Sequence, residues 1–256
     1  MVCKMTQIYF GNAAVDAVTK TEVLAYAREA FLSSRARAAV VITVNGQFIH
    51  LANHEKRFAK FLECADLRIA DGMSLVFASK LLGVLLPERI AGIDLVVDLC
   101  AVLEENEGSV YFLGGNPGTA NHTAEKLKKR FSKLRVAGVD CPPFGFEKSI
   151  NTESIVLQNI QAAHPDLLLV GLGAPKQEYW IEKNLSALPC KMVVGVGCTF
   201  DVLSGQTNRA PLWMQRCGLE WFFRFCSEPR RLGRRYLVTN SYFLWLIFKQ
   251  MLRGKR

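Results

Sequence analysis

Asp71 stands directly after a short apolar run, Leu67 to Ile69, and before Gly72. A carboxylate at a strand end can take the proton from a hydroxyl as that hydroxyl attacks a carbon centre; the same position also suits a helix cap. Three glycine-bearing turns, Leu113-Gly114-Gly115-Asn116, Val170-Gly171-Leu172-Gly173 and Val196-Gly197-Cys198, would let main-chain amides come close to a phosphate. The positive ends of the helices that follow would favour its charge. A nucleotide diphosphate leaving such a site develops negative charge that a divalent metal or arginines must neutralise. The chain has no Asp-x-Asp pair to carry a metal, which favours Arg89 and the cluster Arg224, Arg231 and Arg234. A planar guanidinium binds phosphate through two parallel hydrogen bonds.

Other chemistries lack their residues. His50 and His54 have the one-turn spacing of a two-histidine metal site, but Glu55 is misplaced for HExxH and no third ligand is evident, so no metal is expected. No GxSxG elbow supports a hydrolase. None of the glycine turns fits GxGxxG with an acid about 20 residues beyond, or a P-loop ending in Gly-Lys-Ser/Thr. That weakens the rival reading, an NAD(P)-dependent oxidoreductase on a similar doubly wound fold. The eight cysteines form no CxxC pair and are expected to be reduced and mostly buried.

The elements that must position these residues alternate. Candidate strands are Gln7 to Phe10, Val40 to Val44, Leu67 to Ile69, Val110 to Leu113, Leu134 to Val139, Leu167 to Val170 and Met192 to Val196. Amphipathic segments lie between them. One spans Thr19 to Phe31, opening with a Thr19-x-x-Glu22 capping box and placing Val23, Ala27, Ala30 and Phe31 on one face. Strands apolar on both faces and joined by helices predict an α/β fold: a doubly wound, mainly parallel, Rossmann-like sheet with helices on both faces. Ligands of such sheets bind beyond the carboxyl ends of the strands, so the loops beginning Thr43-Val44-Asn45, Asp71-Gly72, Gly114-Gly115, Pro142-Pro143, Gly171-Leu172-Gly173 and Gly195-Val196-Gly197 are the ones that matter.

From about Pro211 the pattern changes to helices rich in aromatics and arginine. Residues 209–256 hold eleven Lys or Arg against Glu220 and Glu228, which accounts for the entire net charge of +9 and leaves the first 208 residues formally neutral. The expected division is a catalytic core over residues 1–210 and a basic, helical C-terminal appendage over 211–256. The apolar stretch Tyr242 to Phe248 is far shorter than the ~20 residues a bilayer requires. Beside Lys249, Arg253, Lys255 and Arg256 it suits the surface of an anionic membrane. RNA-type recognition motifs are absent, so nucleic acid is not expected as a partner. No secretion leader is evident in MVCKMTQIYFGN, which favours a cytoplasmic protein, peripheral on the inner face of the membrane.

Taken together, these segments resemble the WecG/TagA/CpsF family of bacterial glycosyltransferases from about Thr43 to Arg234. The resemblance rests on Ala65-Asp-Leu-Arg-Ile-Ala-Asp71-Gly72, Glu88-Arg89-Ile-Ala-Gly92-Ile-Asp94, Gly173-Ala-Pro-Lys-Gln177-Glu178, Gly195-Val-Gly197 with Phe200-Asp201, Ser204-Gly205, Arg209-Ala-Pro211, Gly218-Leu-Glu-Trp221-Phe-Phe-Arg224 and Glu228-Pro229. It implies an inverting, metal-independent enzyme with no cofactor. Such an enzyme moves a sugar from a UDP-sugar donor to a polyprenyl-diphosphate-linked acceptor in wall, capsule or exopolysaccharide assembly. It further implies Asp71 as base, Thr43, Asn45, Arg89 and Gln177 as pocket residues, and Asp201 as a nucleotide contact at the ribose. Arg224, Arg231 and Arg234 would belong to a mobile appendage that closes over the diphosphate and recruits the enzyme to the membrane; self-association is left open. Two departures, Cys198 for a second glycine and Gly46-Gln47 for Pro-Glu, bear on the approach of the nucleotide and on acceptor contacts.

Overall fold

A computed structural model describes residues 6–253. In chain order its elements are β1 (Gln7–Phe10), β2 (Ala13–Asp16), α1 (Lys20–Leu32), β3 (Ala39–Val44), α2 (Gly46–His54), α3 (Lys56–Cys64), β4 (Leu67–Ala70) and α4 (Met73–Leu81). Next come α5 (Gly92–Glu105), β5 (Ser109–Gly114), α6 (Thr119–Arg130), β6 (Arg135–Asp140), α7 (Ile150–Ala163), β7 (Leu167–Gly171), α8 (Lys176–Asn184) and β8 (Met192–Gly195). The last described elements are α9 (Thr199–Leu203), α10 (Leu212–Arg216), α11 (Glu220–Ser227) and α12 (Pro229–Arg253).

Six strands form one parallel sheet in the order β4-β3-β8-β7-β5-β6, flanked by helices, as the doubly wound pattern predicts. Every residue of β3, β4, β5, β7 and β8 is buried, the condition that produces unbroken Val/Ile/Leu runs. The edge strand β6 is only half-buried, and its Gly and Asp residues reflect that. Helix α1 buries Val23, Ala27, Ala30 and Phe31, the face its spacing predicts.

One strand expectation needs correction. Gln7–Phe10 does not join the parallel sheet; it pairs antiparallel with β2, a strand the sequence reading missed, in a separate hairpin with Gln7 opposite Asp16. The turn requires glycine: Gly11 has φ +63°, and a Cβ there would stand 2.0 Å from Asn53 Oδ1. Asn53 secures this turn by donating to Phe10 O and accepting from Asn12 N, both at 3.0 Å.

The chain divides into two compact units. One draws on the N-terminal segment to Lys20, Ile42–Ala91 and the chain from Asn208; the other comprises Thr21–Val41 and Gly92–Thr207.

In the first unit the hairpin is anchored by a buried ion pair. Asp16 Oδ2 accepts from Arg68 N (2.7 Å) and Nε (3.1 Å), and Oδ1 accepts from Arg68 Nη2 (3.2 Å) and Gln7 Nε2 (3.0 Å). Arg68 completes its fork on Leu62 O and Glu63 O, so neither buried charge lacks hydrogen bonds.

Also in this unit, α12 starts at Pro229, a residue whose fixed φ suits a first helical position. It packs on α2 and on α11, and buries Leu232, Gly233, Thr239, Phe243, Leu246 and Ile247. Phe243 meets Phe10, their rings 5.8 Å apart. Leu237, Leu244, Trp245, Phe248 and Leu252 remain exposed on α12. Among the described residues no helix is long and apolar enough to cross a membrane.

In the second unit, buried Glu153 joins α7 to α8. It accepts from Lys183 Nζ (2.5 Å) and from the buried Asn184 Nδ2 (3.2 Å). The cysteines differ from expectation: of those described, Cys100 and Cys190 are buried, Cys141 and Cys198 half-buried, and Cys64, Cys217 and Cys226 exposed. The last two lie on the C-terminal helices and their connections, whose packing covers only one face. Cys3 lies outside the described residues.

Candidate active site

In the first unit, Asp71 is half-buried immediately after β4, and its main-chain amide donates to Val44 O at 2.9 Å, tying the ends of β3 and β4 together. Gly72, not Asp71, occupies the cap position of α4.

Arg89 supports the same turn from behind. Its Nε donates to Asp71 O at 2.8 Å, Nη1 to Gln215 O at 3.4 Å, and Nη2 to Glu220 Oε2 at 2.5 Å. Arg89 and Glu220 are both largely shielded, their side chains 13% and 20% exposed. The guanidinium expected to neutralise a phosphate is therefore paired with a carboxylate and joins the Asp71 turn to α10 and α11. Arg209 stands 3.9 Å from the same Glu220. Sequence reading did not find Glu220 because an acid in the first turn of a short helix ordinarily reads as favourable to the helix dipole.

Thr43 is buried near the end of β3. Asn45 caps α2: its side-chain oxygen accepts from Gln47 N (3.0 Å) and Phe48 N (3.4 Å). That use leaves the NH2 end of its amide for another partner. Arg224 is half-buried on α11, whereas Arg231 and Arg234 are exposed on α12, and Arg231 pairs with Glu228 one turn earlier.

The second unit holds the glycine turns. Strand β5 lies between β6, which follows it in sequence, and β7, so the order reverses there and the turns after β5 and β7 flank a topological switch point. Gly114 (φ +92°) and Gly115 (φ +83°) leave β5, and Gly115 N donates to Gly171 O at 2.8 Å. Glycine is required by packing here: a Cβ at Gly115 would meet Thr119 Oγ1 at 2.5 Å, and one at Gly171 would meet the Phe200 ring at 2.8 Å. Gly173 and Gly197 also have positive φ, with nothing within 4 Å of where a Cβ would stand.

Their amides, however, are already used. Gly173 N (3.1 Å) and Gly197 N (2.9 Å) both donate to Gln177 Oε1. Gln177 is 2% exposed, and its Nε2 donates to Glu178 Oε1 at 2.6 Å. Thus Gln177 is an interior tie between two turns, and three of the amides expected to face a phosphate instead close the fold.

Glu178 is equally buried, and burial pushes its carboxyl up to about 7 against the smaller opposing effects of Gln177 and a main-chain amide. Its significance was concealed by its place in a recognised motif.

Asp201 is half-buried on α9 and accepts at Oδ1 from Asn116 Nδ2 (3.0 Å), which brings the turn after β5 to the helix after β8. Asn116 thus holds Asp201, a contact that its place in a glycine turn did not reveal in sequence. Cys198 introduces no strain, since its φ of −86° is open to any side chain. Among the described residues no group of three His, Cys, Asp or Glu side chains is arranged to hold a metal ion.

Comparison with known proteins bears on what these residues do. The chain matches the "Glycosyl transferase WecG/TagA/CpsF family" over residues 8–256. A protein of Bacillus spizizenii is 33% identical over 206 residues, covering 80% of this chain and 77% of its own. Relatives from Bacillus subtilis (29% over 209 residues; 82% and 79% covered) and Staphylococcus aureus (26% over 241 residues; 94% and 92%) carry the same name. That name is N-acetylglucosaminyldiphosphoundecaprenol N-acetyl-beta-D-mannosaminyltransferase. A strand-end acid, glycine turns at a switch point and a match over nearly the whole length lead to one conclusion: this chain belongs to the WecG/TagA/CpsF family and is a glycosyltransferase.

Proposed function

We propose that the enzyme transfers an N-acetylhexosamine, N-acetylmannosamine being the first candidate, from a UDP-sugar to a polyprenyl-diphosphate-linked saccharide. The names of the relatives supply the acceptor class and the candidate sugar. Asp71 removes the proton from the acceptor hydroxyl as its oxygen attacks the anomeric carbon. The bond to the diphosphate breaks with its electron pair leaving on UDP, and one displacement inverts the anomeric centre. Counter-charge comes from arginine, with Arg224, Arg231 and Arg234 serving the diphosphate and the anionic membrane surface. Asp201, already hydrogen-bonded to Asn116, presents its second oxygen to the ribose.

The observation that carries this reading is the state of Asp71: a half-buried carboxylate at a strand end, one residue before the cap of α4, with its main-chain carbonyl held by Arg89. The test is UDP release from UDP-N-acetylmannosamine with a short-chain polyprenyl-diphosphate N-acetylglucosamine acceptor, in the presence of a chelator. D71N should keep UDP binding and lose turnover by about 100-fold or more, the usual worth of a general base. Unchanged turnover would remove Asp71 from the mechanism; activity abolished by the chelator would remove the arginine-only account of the leaving group.

A further inference from the structure

In the second unit the turns after β7 and β8 are tied by one side chain. Gln177 receives both glycine amides on Oε1 and passes a hydrogen bond from Nε2 to Glu178 Oε1. Both side chains are 2% exposed, so the Gln177 amide cannot exchange these partners for bulk water.

Orientation therefore matters. Turned end for end, its NH2 would face two N–H groups and its oxygen would face Glu178. The acceptor on Glu178 is what satisfies the NH2 end in the observed arrangement.

Glu178 Oε2 is buried with no hydrogen-bond partner, an arrangement costly for an ionised carboxylate. Strand β8 makes room for the pair with Gly195, where a Cβ would stand 2.7 Å from Gln177 Nε2 and 3.1 Å from Glu178 Oε1. The sides of Gly173 and Gly197 that a Cβ would occupy remain open while their amides are held.

We propose that Glu178 is a positioning residue for donor binding: it fixes the Gln177 amide in the orientation that clasps both turns, and the clasp presets them for the nucleotide diphosphate. This rests on the reading of the second unit as the nucleotide-binding half. Preorganisation of this kind strengthens binding because the ligand does not have to order the loops itself.

Hydrogen exchange at Gly173 and Gly197 reads the clasp without ligand, while calorimetry with UDP and the KM for donor read its consequence. E178Q keeps an acceptor for Gln177 Nε2 and should hold UDP affinity within about threefold, a change no larger than replacing one satisfied hydrogen bond by another. E178L removes the acceptor; exchange at both glycines should quicken and donor KM rise by about tenfold with acceptor KM unmoved, the cost of one unsatisfied buried donor. Q177E should behave like E178L because two carboxyls would face each other, and the double variant Q177E/E178Q, with the amide now donating from position 178, should recover most of the loss.

A merely structural role would lower the melting temperature of E178L and leave donor KM where it was; that result, or a double variant that recovers nothing, overturns the proposal. Wild-type protein that binds no UDP would sink the nucleotide reading instead, whereas glycine exchange indifferent to position 178 would sink the clasp alone.

Discussion

Replacing Glu178 by Gln should make the protein more stable at neutral pH, by an amount that the burial of this carboxyl determines. In the fold its pKa rises from 4.5 to about 7, chiefly because the charged form is desolvated. Below pH 4.5 the carboxyl is neutral in both folded and unfolded chains and contributes nothing. Between 4.5 and about 7 the unfolded chain loses this proton while the folded chain retains it, so stability falls as pH rises. Above that window the penalty is complete, about 3 kcal/mol at roughly 1.4 kcal/mol per pKa unit. The amide of E178Q has no such ionisation and escapes the penalty, while every other group titrates as in the wild type. The melting temperatures of the two proteins should therefore coincide near pH 4 and separate to about 6–12 °C above pH 7, using about 2–4 °C per kcal/mol for a domain of this size. Calorimetry from pH 4 to 8.5 measures the difference directly. A gap that stays constant with pH, or widens toward acid, would show that the carboxyl is not held neutral by burial.

Three other perturbations test the supports of the first unit. D16A leaves the buried Arg68 guanidinium without its carboxylate and should lower stability by about 3–5 kcal/mol, measured by denaturant unfolding. E220A removes the partner of Arg89; the loss of a shielded, charge-assisted hydrogen bond should reduce stability by about 2 kcal/mol, and proteolysis should show the segment beyond Asn208 loosening. Exchanging exposed Trp245 and Phe248 for Ser should leave the unfolding free energy within about 0.5 kcal/mol of wild type yet weaken sedimentation with anionic liposomes; undiminished sedimentation would assign membrane contact to other residues.

What sequence could reveal, and what it could not, divides along physical lines. The strands of the parallel sheet were legible because burial on both faces demands unbroken apolar runs, and the face of α1 because helical spacing repeats its buried residues. Strand β2 was not, since Ala13–Asp16 is short and its role depends on Asp16 meeting Arg68, 52 residues away. Position, likewise, was legible for Asp71, Asn45, Gln177 and the glycines, whereas partnership was not. Asn45 commits its side-chain oxygen to capping a helix, Arg89 lies on Glu220, and Gln177 takes the very amides that glycine-rich turns suggest for phosphate. Residue type and spacing give each group's hydrogen-bonding capacity; only packing determines how much of it remains for a ligand. By that measure the glycines after β7 and β8 contribute open space and a fixed backbone, and the recognition of negative charge must come from groups whose donors the fold has left uncommitted.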